Sequence, residues 1–431
     1  MIAIAESPSK LELKRLPLIT NYPSFRRWNR KALNQKVEGQ PMCIYVHIPF
    51  CTQRCSFCYY KTVDLKDYRP EVDRYVDVLC QEIDMATEKF HIGDRPIHAV
   101  YFGGGTPSLL TEAQVTKVVE ALDRNFKHFS NRNQFSFEAE PLTISRSKLD
   151  TLKNLGVNRL SMGMQSFVDE IIKISGRGHD EKQAYRAIEL AQEVGAGQWN
   201  INIDLLSGLA GETNETWHQS VERAINTGVE SITVYKMEAF ANTEVFDQGV
   251  RKEEIPLPSE EQELYFAEYA MNRLMDANYL PWSFFTYTKN GCDESKYISS
   301  IWRGMDFYGF GVSAFGSLGD SLLQNTSDME KYAATLEGNE LPLTRGYRFN
   351  TVDQMVREVL MGAKLLSLDL KGFKDRHGCK LETICADTLR DLQAEGLITV
   401  SADSLNLTRK GMLYGDFVSQ TLADAIQSVF S

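Results

Sequence analysis

Residues 42–58 read Met-Cys-Ile-Tyr-Val-His-Ile-Pro-Phe-Cys-Thr-Gln-Arg-Cys-Ser-Phe-Cys, which places cysteines at 43, 51, 55 and 58. The first part, 43–48, is apolar and rich in strand formers and reads as a buried strand. The second part is a C-x3-C-x2-C loop built on Cys51, Cys55 and Cys58. Three thiolates on one short loop can bind three irons of a cubane [4Fe–4S] cluster, because soft sulfur ligands suit iron–sulfur centres. Clusters that only carry electrons use four cysteines, so three leave one iron open to another ligand. A zinc site is the rival, and it needs a fourth ligand from a second Cys or His pair. No second C-x2-C and no H-x3-H occurs. His47 is close by, but strand alternation makes it equally a supporting or core residue. A chance grouping of buried thiols is the third reading. Cys80, Cys292, Cys379 and Cys385 are scattered and suggest no shared chemistry.

Working outward, short apolar runs alternate with amphipathic stretches. Strands are expected at 43–48, 97–102, 134–140, 159–164, 199–205 and 231–237. Helices are expected at 72–90, 111–126, 145–155, 181–195 and 213–227. Thr111 with Gln114 three residues on is a capping-box signature, and Gly156 stops the helix before it. Strand and helix thus alternate about six times, which implies parallel strands with crossover helices closed into a partial (β/α)6 barrel of TIM type. Chemistry in such barrels gathers at the loops that follow the strands, and the cysteine loop follows the first.

Beyond residue 238 the regularity weakens. A long helix is expected at 259–277, then a stretch rich in glycine and aromatics at 308–317. Helices at 352–366 and 381–395, a hairpin at 397–407 and a last helix suggest a winged-helix-like unit. Residues 351–431 hold 9 Lys and Arg against 11 Asp and Glu, which argues for docking or a lid rather than nucleic-acid binding. The expected division is a polar N-terminal arm at 1–40 laid over the main domain, a barrel with its extension at 41–325, and a C-terminal domain at 326–431.

The whole chain carries 47 Lys and Arg against 58 Asp and Glu, a net charge of −11. That balance argues against general affinity for nucleic acid or anionic membrane. No run of about 18 apolar residues is present to span a bilayer, and the first thirty residues lack a signal-peptide core. A cytoplasmic location is the expectation.

The cysteine loop after the first barrel strand resembles that of the radical S-adenosylmethionine (SAM) superfamily. Longer motifs resemble its HemN-like branch: Tyr45-Val-His-Ile-Pro-Phe-Cys51, Phe102-Gly-Gly-Gly-Thr-Pro107, Asn158-Arg-Leu-Ser-Met-Gly-Met-Gln-Ser-Phe167 and Asn202-Ile-Asp-Leu205. The resemblance implies a cluster held by Cys51, Cys55 and Cys58, its open iron chelated by SAM, and reductive cleavage to a 5′-deoxyadenosyl radical. It also implies that Gly104, Gly105 and Thr106 meet the methionyl amine and carboxylate of SAM. By the same resemblance Glu138, Gln165 and Arg177 contact SAM, and Asp204 contacts its ribose or a second cofactor. Tyr45 and Phe57 flank the cluster, and Phe315 lies in a segment that closes on SAM. Read without the resemblance, the glycines make a tight turn, Glu138 and Glu140 are solvated and Phe57 fills core. Some of Tyr235, Lys236, Glu238, Phe284, Tyr287, Trp302 and Phe315 are expected to line a cavity for a flat or unsaturated substrate.

Within the branch, coproporphyrinogen dehydrogenases carry a fourth cysteine where this chain has Tyr60. Heme chaperones carry a His-Asn-x-x-Tyr-Trp motif where this chain reads Tyr297-Ile-Ser-Ser-Ile-Trp302. Thr20-Asn-Tyr-Pro-Ser24 resembles the arm of the dehydrogenases and two-SAM enzymes. The leading expectation is a class C methyltransferase or cyclopropanase using two SAM molecules. The alternatives are an oxygen-independent coproporphyrinogen III dehydrogenase-like decarboxylase and a HemW-like heme chaperone. Expected partners are a small aromatic or unsaturated substrate and an electron donor such as flavodoxin or ferredoxin. No nucleic acid and no membrane are expected, and the chain is expected to be a monomer.

Overall fold

The computed structural model describes residues 11–29, 40–65, 71–291 and 293–430. Cys292 and half of the expected arm, at 1–10 and 30–39, lie outside the described residues. The chain divides into two units: Arg27–Pro281 with Thr286–Arg348, and Met1–Arg26 with Trp282–Phe285 and Phe349–Ser431.

The first unit is built on the six expected β/α repeats. Strands β1 (Met42–Ile48), β2 (Ile97–Gly104), β3 (Gln134–Ala139), β4 (Arg159–Gln165), β5 (Asn200–Ser207) and β6 (Ser231–Lys236) pair in parallel in that order. Helices α1 (Glu71–Phe90), α2 (Glu112–Asn125), α3 (Arg146–Asn154), α4 (Glu181–Gly195) and α5 (Asn214–Asn226) make the crossovers. Local chemistry sets their ends. Thr111 and Gln114 form the expected capping box on α2, and Asp180 with Gln183 and Thr213 with Thr216 do the same on α4 and α5. Each such cap contributes roughly 1 kcal/mol.

The sheet goes further than the alternation suggested. After α6 (Glu260–Asp276), strands β7 (Tyr279–Pro281) and β8 (Thr286–Lys289) add antiparallel to the β6 edge. Helix α7 (Lys296–Trp302) leads to β9 (Asp306–Phe310), which joins the other edge parallel to β1. Then β10 (Phe315–Leu318), β11 (Ser321–Asn325), α8 (Met329–Glu337) and β12 (Leu343–Arg348) follow. Among the described residues the order is β12-β11-β10-β9-β1-β2-β3-β4-β5-β6-β8-β7. Residues 326–348 therefore fall with the barrel unit, because β12 pairs with β11, rather than with the C-terminal domain expected from 326.

Period two decides what faces the lumen. Ile44, Val46, Val100, Phe102, Phe135, Phe137, Leu160, Met162, Ile201, Ile203 and Ile232 alternate to the outer face and are fully or almost fully buried. Tyr45, Tyr101, Glu138, Arg159, Asp204 and Tyr235 share the inner face.

In the second unit, α9 (Thr351–Gly362) packs with α12 (Gly415–Phe430). Strands β13 (Ser367–Asp369), β14 (Ile398–Val400) and β15 (Ser404–Leu407) make a sheet in the order β13-β15-β14. Between them lie α10 (Leu370–His377) and α11 (Ala386–Ala394), a mainly helical, winged-helix-like arrangement. The helix expected over 381–395 is interrupted at Cys385. Of the described arm, residues 11–26 belong to this unit, whereas residues 27–29 go with the barrel unit, where the Asn29 amide donates to the Gly346 carbonyl of β12 at 2.7 Å. The Ile19 amide donates to Asp416 Oδ1 at 3.1 Å and the Tyr22 hydroxyl to Asp353 Oδ1 at 3.0 Å. No helix among the described residues is long and apolar enough to cross a membrane.

Candidate active site

The cysteine loop leaves β1 at the carboxyl end of the parallel strands. Phe50–Cys51 makes a short parallel pair with Val63–Asp64, which fixes the loop at both ends. Cys51, Cys55 and Cys58 are half-buried, whereas Cys43, Cys80 and Cys385 are buried. The three thiols are electrostatic neighbours: Cys55 and Cys58 each raise the pKa of Cys51. Burial is the larger cause and pushes Cys51 up to about 11, and it pushes Cys58 up as well. Free thiolates are therefore disfavoured there, and a cationic group is what would stabilise them. Among the described residues no three His, Cys, Asp or Glu side chains converge tightly enough to grip a single metal ion.

Two groups reach the thiols from the segments that follow β2 and β4. Thr106 Oγ1 lies 3.6 Å from Cys51 Sγ, and Arg177 Nη1 lies 3.6 Å from Cys55 Sγ. Arg177 also donates to the Gly163 carbonyl on β4 and lies 3.8 Å from Glu140. Its Nε is buried without a partner.

The glycine turn packs straight onto the cysteine loop. Gly105 N donates to Ile48 O at 2.7 Å and Thr106 N to Phe50 O at 2.8 Å. A Cβ on Gly105 would lie 2.6 Å from the Phe50 carbonyl oxygen, and Gly104 has φ +116 with its Cβ position 2.5 Å from the His47 ring. Only glycine permits both. The amides of Gly104, Gly105 and Thr106 are thus committed to the protein, the first of them to Glu138 Oε2 at 3.1 Å.

Inside the lumen, Glu138 also accepts from the Tyr101 hydroxyl at 2.6 Å, and burial pushes its pKa up to about 7. Burial likewise pushes Asp204 up to about 6; Asn202 Nδ2 donates to it at 2.8 Å. Gln165 ends β4 with φ +68, a left-handed conformation rare outside glycine, beside a register shift against β5. On the opposite wall Tyr45, Tyr101 and Tyr297 lie with ring centroids 5.1 to 6.1 Å apart. Phe307 and Phe315 continue that wall.

Comparison with known proteins follows the same division. The Radical SAM superfamily profile matches residues 45–224, and the HemN C-terminal domain profile matches residues 352–414. The heme chaperone HemW of Bacillus subtilis is 31% identical over 375 residues, covering 87% of this chain and 97% of that one. The oxygen-independent coproporphyrinogen III oxidase of Salmonella typhimurium is 28% identical, covering 92% and 90%. The chain belongs to the radical SAM superfamily, in its HemN/HemW branch. The solved structure of coproporphyrinogen III oxidase (HemN) from Escherichia coli superposes with a TM-score of 0.79 at 24% identity, over 95% of this chain and 97% of that one, which is agreement of fold. The protein is a radical SAM enzyme, of a superfamily that uses a [4Fe–4S] cluster and SAM.

Against that assignment the expected site residues sort clearly. Cys51, Cys55, Cys58, Thr106 and Arg177 meet at the mouth, with Gly104 and Gly105 behind them. Tyr45, Glu138, Asp204 and Phe315 belong to the lumen. Phe57 packs on Ile171, Leu206, Leu209, Met237 and Val245, so in this radical SAM barrel it anchors the loop to an apolar cluster. Glu140 is not on the strand face of Glu138, because β3 ends at Ala139 and Glu140 turns toward Arg177. Tyr235 enters the lumen, where Asp204 and Glu138 are its acidic neighbours. Lys236 pairs with Glu263 at 2.9 Å and lies 4.0 Å from Glu238. Tyr287 is buried in β8, Trp302 ends α7, and Phe284 falls in the other unit.

Two residues escaped the sequence reading. Arg159 begins β4 on the lumen face, 4% exposed. Glu82 sits fully buried on α1 and accepts from Gly311 N, Asn325 Nδ2 and Tyr332 Oη at 2.7, 2.7 and 2.5 Å. It ties the helix to the segment that precedes Phe315. Period two on β4 could have flagged Arg159; an acid on the apolar face of α1 was the only signal for Glu82.

Proposed function

We propose that this chain oxidises a tetrapyrrole-like substrate bearing carboxylate side chains, in the manner of oxygen-independent coproporphyrinogen III oxidases, and does not act as a heme carrier. The observation that carries this is the position of Tyr297. It stands where the chaperone motif has its histidine, and it is 4% exposed within the lumen wall. A side chain turned into the barrel cannot ligate a heme on the surface, but it can flank a flat substrate in the lumen. The full-length likeness to a coproporphyrinogen oxidase supports the substrate class.

In this reading Cys51, Cys55 and Cys58 hold the cluster, a small one-electron donor protein reduces it, and the chain works as a monomer. With cluster and SAM bound, the pair supplies a carbon radical able to remove a hydrogen atom from the substrate. Arg177 pairs with the SAM carboxylate, Gln165 contacts SAM from the β4 terminus, and Glu138 and Asp204 accept from its donor groups. Gly104, Gly105 and Thr106 keep the ligand close to the loop. The aromatic wall excludes water from the reacting atoms.

A second reading is methyl transfer or cyclopropanation with two SAM molecules. It is favoured by Tyr60, which replaces the fourth cysteine of the dehydrogenases and stacks on Tyr59 at 4.3 Å beside Phe240. Anaerobic incubation with SAM, reductant and coproporphyrinogen III decides between them. The proposal expects 5′-deoxyadenosine with release of CO2 from the substrate. Label from methyl-labelled SAM in the product would replace it by the second reading, and stoichiometric heme binding without SAM cleavage would overturn both.

A further inference from the structure

The lumen floor beneath Glu138 and Asp204 is polar. Asn202 is its hub, donating to Ser161 Oγ at 2.9 Å and to Asp204, and accepting from Ser231 Oγ at 2.7 Å and Thr233 Oγ1 at 3.0 Å. Arg159 lies among these groups. It is 4% exposed, and its Nε is buried without a hydrogen-bond partner. A buried guanidinium without counter-charge is strongly disfavoured. The acids that face it are Glu138 and Asp204, and its charge lowers the pKa of both.

The other groups around the two acids are weak donors or neutral. Asp204 and Glu138 each see the other, and Tyr235 of β6 sees both. Tyr45 of β1, Tyr101 of β2 and Tyr297 of α7 face Glu138, and burial raises their own pKa values, so they stay neutral; the half-exposed Tyr60 of the cysteine loop is a further phenol on this side. The hydroxyls of Ser161 and Thr233 lower the pKa of Asp204. Arg159 is the cation in this set.

We propose that Arg159 is a positioning residue, whose guanidinium under the floor favours the ionised forms of Glu138 and Asp204, so that they act as paired acceptors for the hydroxyl and ammonium donors of SAM. The inference rests on the reading that these two acids face SAM. It assigns Arg159 no contact with SAM itself. Two carboxylates sharing one buried cavity repel each other, and without a cation one of them holds its proton to higher pH. A protonated carboxyl loses acceptor capacity and the charge that strengthens the bond.

The test uses the anaerobically reconstituted, unreduced full-length protein, so that SAM binds without turnover. Calorimetric SAM titrations are run across about pH 6 to 9, spanning the raised carboxyl range. Arg159→Met should move the acid limb of binding up by about one pH unit, roughly tenfold weaker binding near neutrality, with the gap closing at alkaline pH. Arg159→Gln, which keeps the floor polar, should do the same, and Arg159→Lys should restore the wild-type limb. Infrared difference spectra should show the protonated-carboxyl band persisting to higher pH in the Met and Gln variants than in wild type, a difference abolished when Glu138→Gln and Asp204→Asn are added. A pH-independent loss of affinity, or a carboxyl band that titrates as in wild type in both variants, overturns the proposal. If Glu138→Gln and Asp204→Asn bind SAM like wild type at every pH while the band still shifts in the Arg159 variants, Arg159 governs their charge and the SAM-facing reading is what fails.

Discussion

The two halves of the barrel lumen differ sharply although the same alternation builds both. Strands β9, β1 and β2 with α7 present Tyr45, Tyr101, Tyr297 and Phe307. Strands β3 to β6 present Glu138, Arg159, Ser161, Asn202, Asp204 and Thr233. On the outer face the halves are alike, aliphatic and phenylalanine-rich. The contrast is therefore confined to the face that meets ligand. A polar wall can hold a cofactor rich in donors and charges, while an aromatic wall holds a flat substrate and keeps water out. The cysteine loop lies where the two walls meet.

That contrast breaks in graded ways. The largest effect should come from the polar wall. Glu138→Gln removes a charged acceptor from the lumen and should weaken SAM binding by roughly ten- to a hundredfold, the worth of one hydrogen bond to a charged group. Isothermal titration checks it, and substrate affinity should change far less. Next, Glu82→Ala outside the lumen should destabilise the fold by on the order of 2–3 kcal/mol by leaving its buried donors unpaired. Urea unfolding measures this.

A subtler effect is a pH dependence with opposite signs. Burial raises Glu82 and Glu138 from 4.5 to about 7 and Asp204 from 3.8 to about 6. The folded chain then binds more protons than the unfolded chain between the unfolded and folded pKa values. The contribution of these groups to stability is full below the unfolded values and is lost as pH rises through about 6 to 7. Binding of SAM needs the ionised acids and should strengthen over that same window. Thermal melts of the apo protein and SAM titrations read the two slopes, and parallel slopes would remove the lumen acids from the site. The smallest effect belongs to the aromatic wall: Tyr297→Phe keeps the ring and should leave SAM binding within about twofold, since it removes only a hydroxyl. Tyr297→Ala should impair substrate turnover with SAM binding retained.

The six β/α repeats and the cysteine loop were legible because each is a local pattern. Thr111 with Gln114 sets a helix start within one turn, and Cys51, Cys55 and Cys58 lie within one loop. The sheet extension was not legible. Strand β9 reads Asp-Phe-Tyr-Gly-Phe and is buried at almost every position, so it lacks the alternation that marks a strand. The grouping of residues 11–26 with the C-terminal unit depends on partners such as Asp353 and Asp416, more than three hundred residues away. No local signal carries that. Arg159 was hidden for a different reason: one charged residue at a strand end looks like a surface residue until the barrel closes around it.

Anaerobic SAM cleavage by the reconstituted protein and its cysteine variants tests the central claim most directly. Reduced wild-type protein should form 5′-deoxyadenosine, and Cys51→Ala, Cys55→Ala and Cys58→Ala should each fall to background, with iron content lowered. Full 5′-deoxyadenosine formation with an intact cluster in any one of the three would contradict the assignment of this loop as the seat of the chemistry.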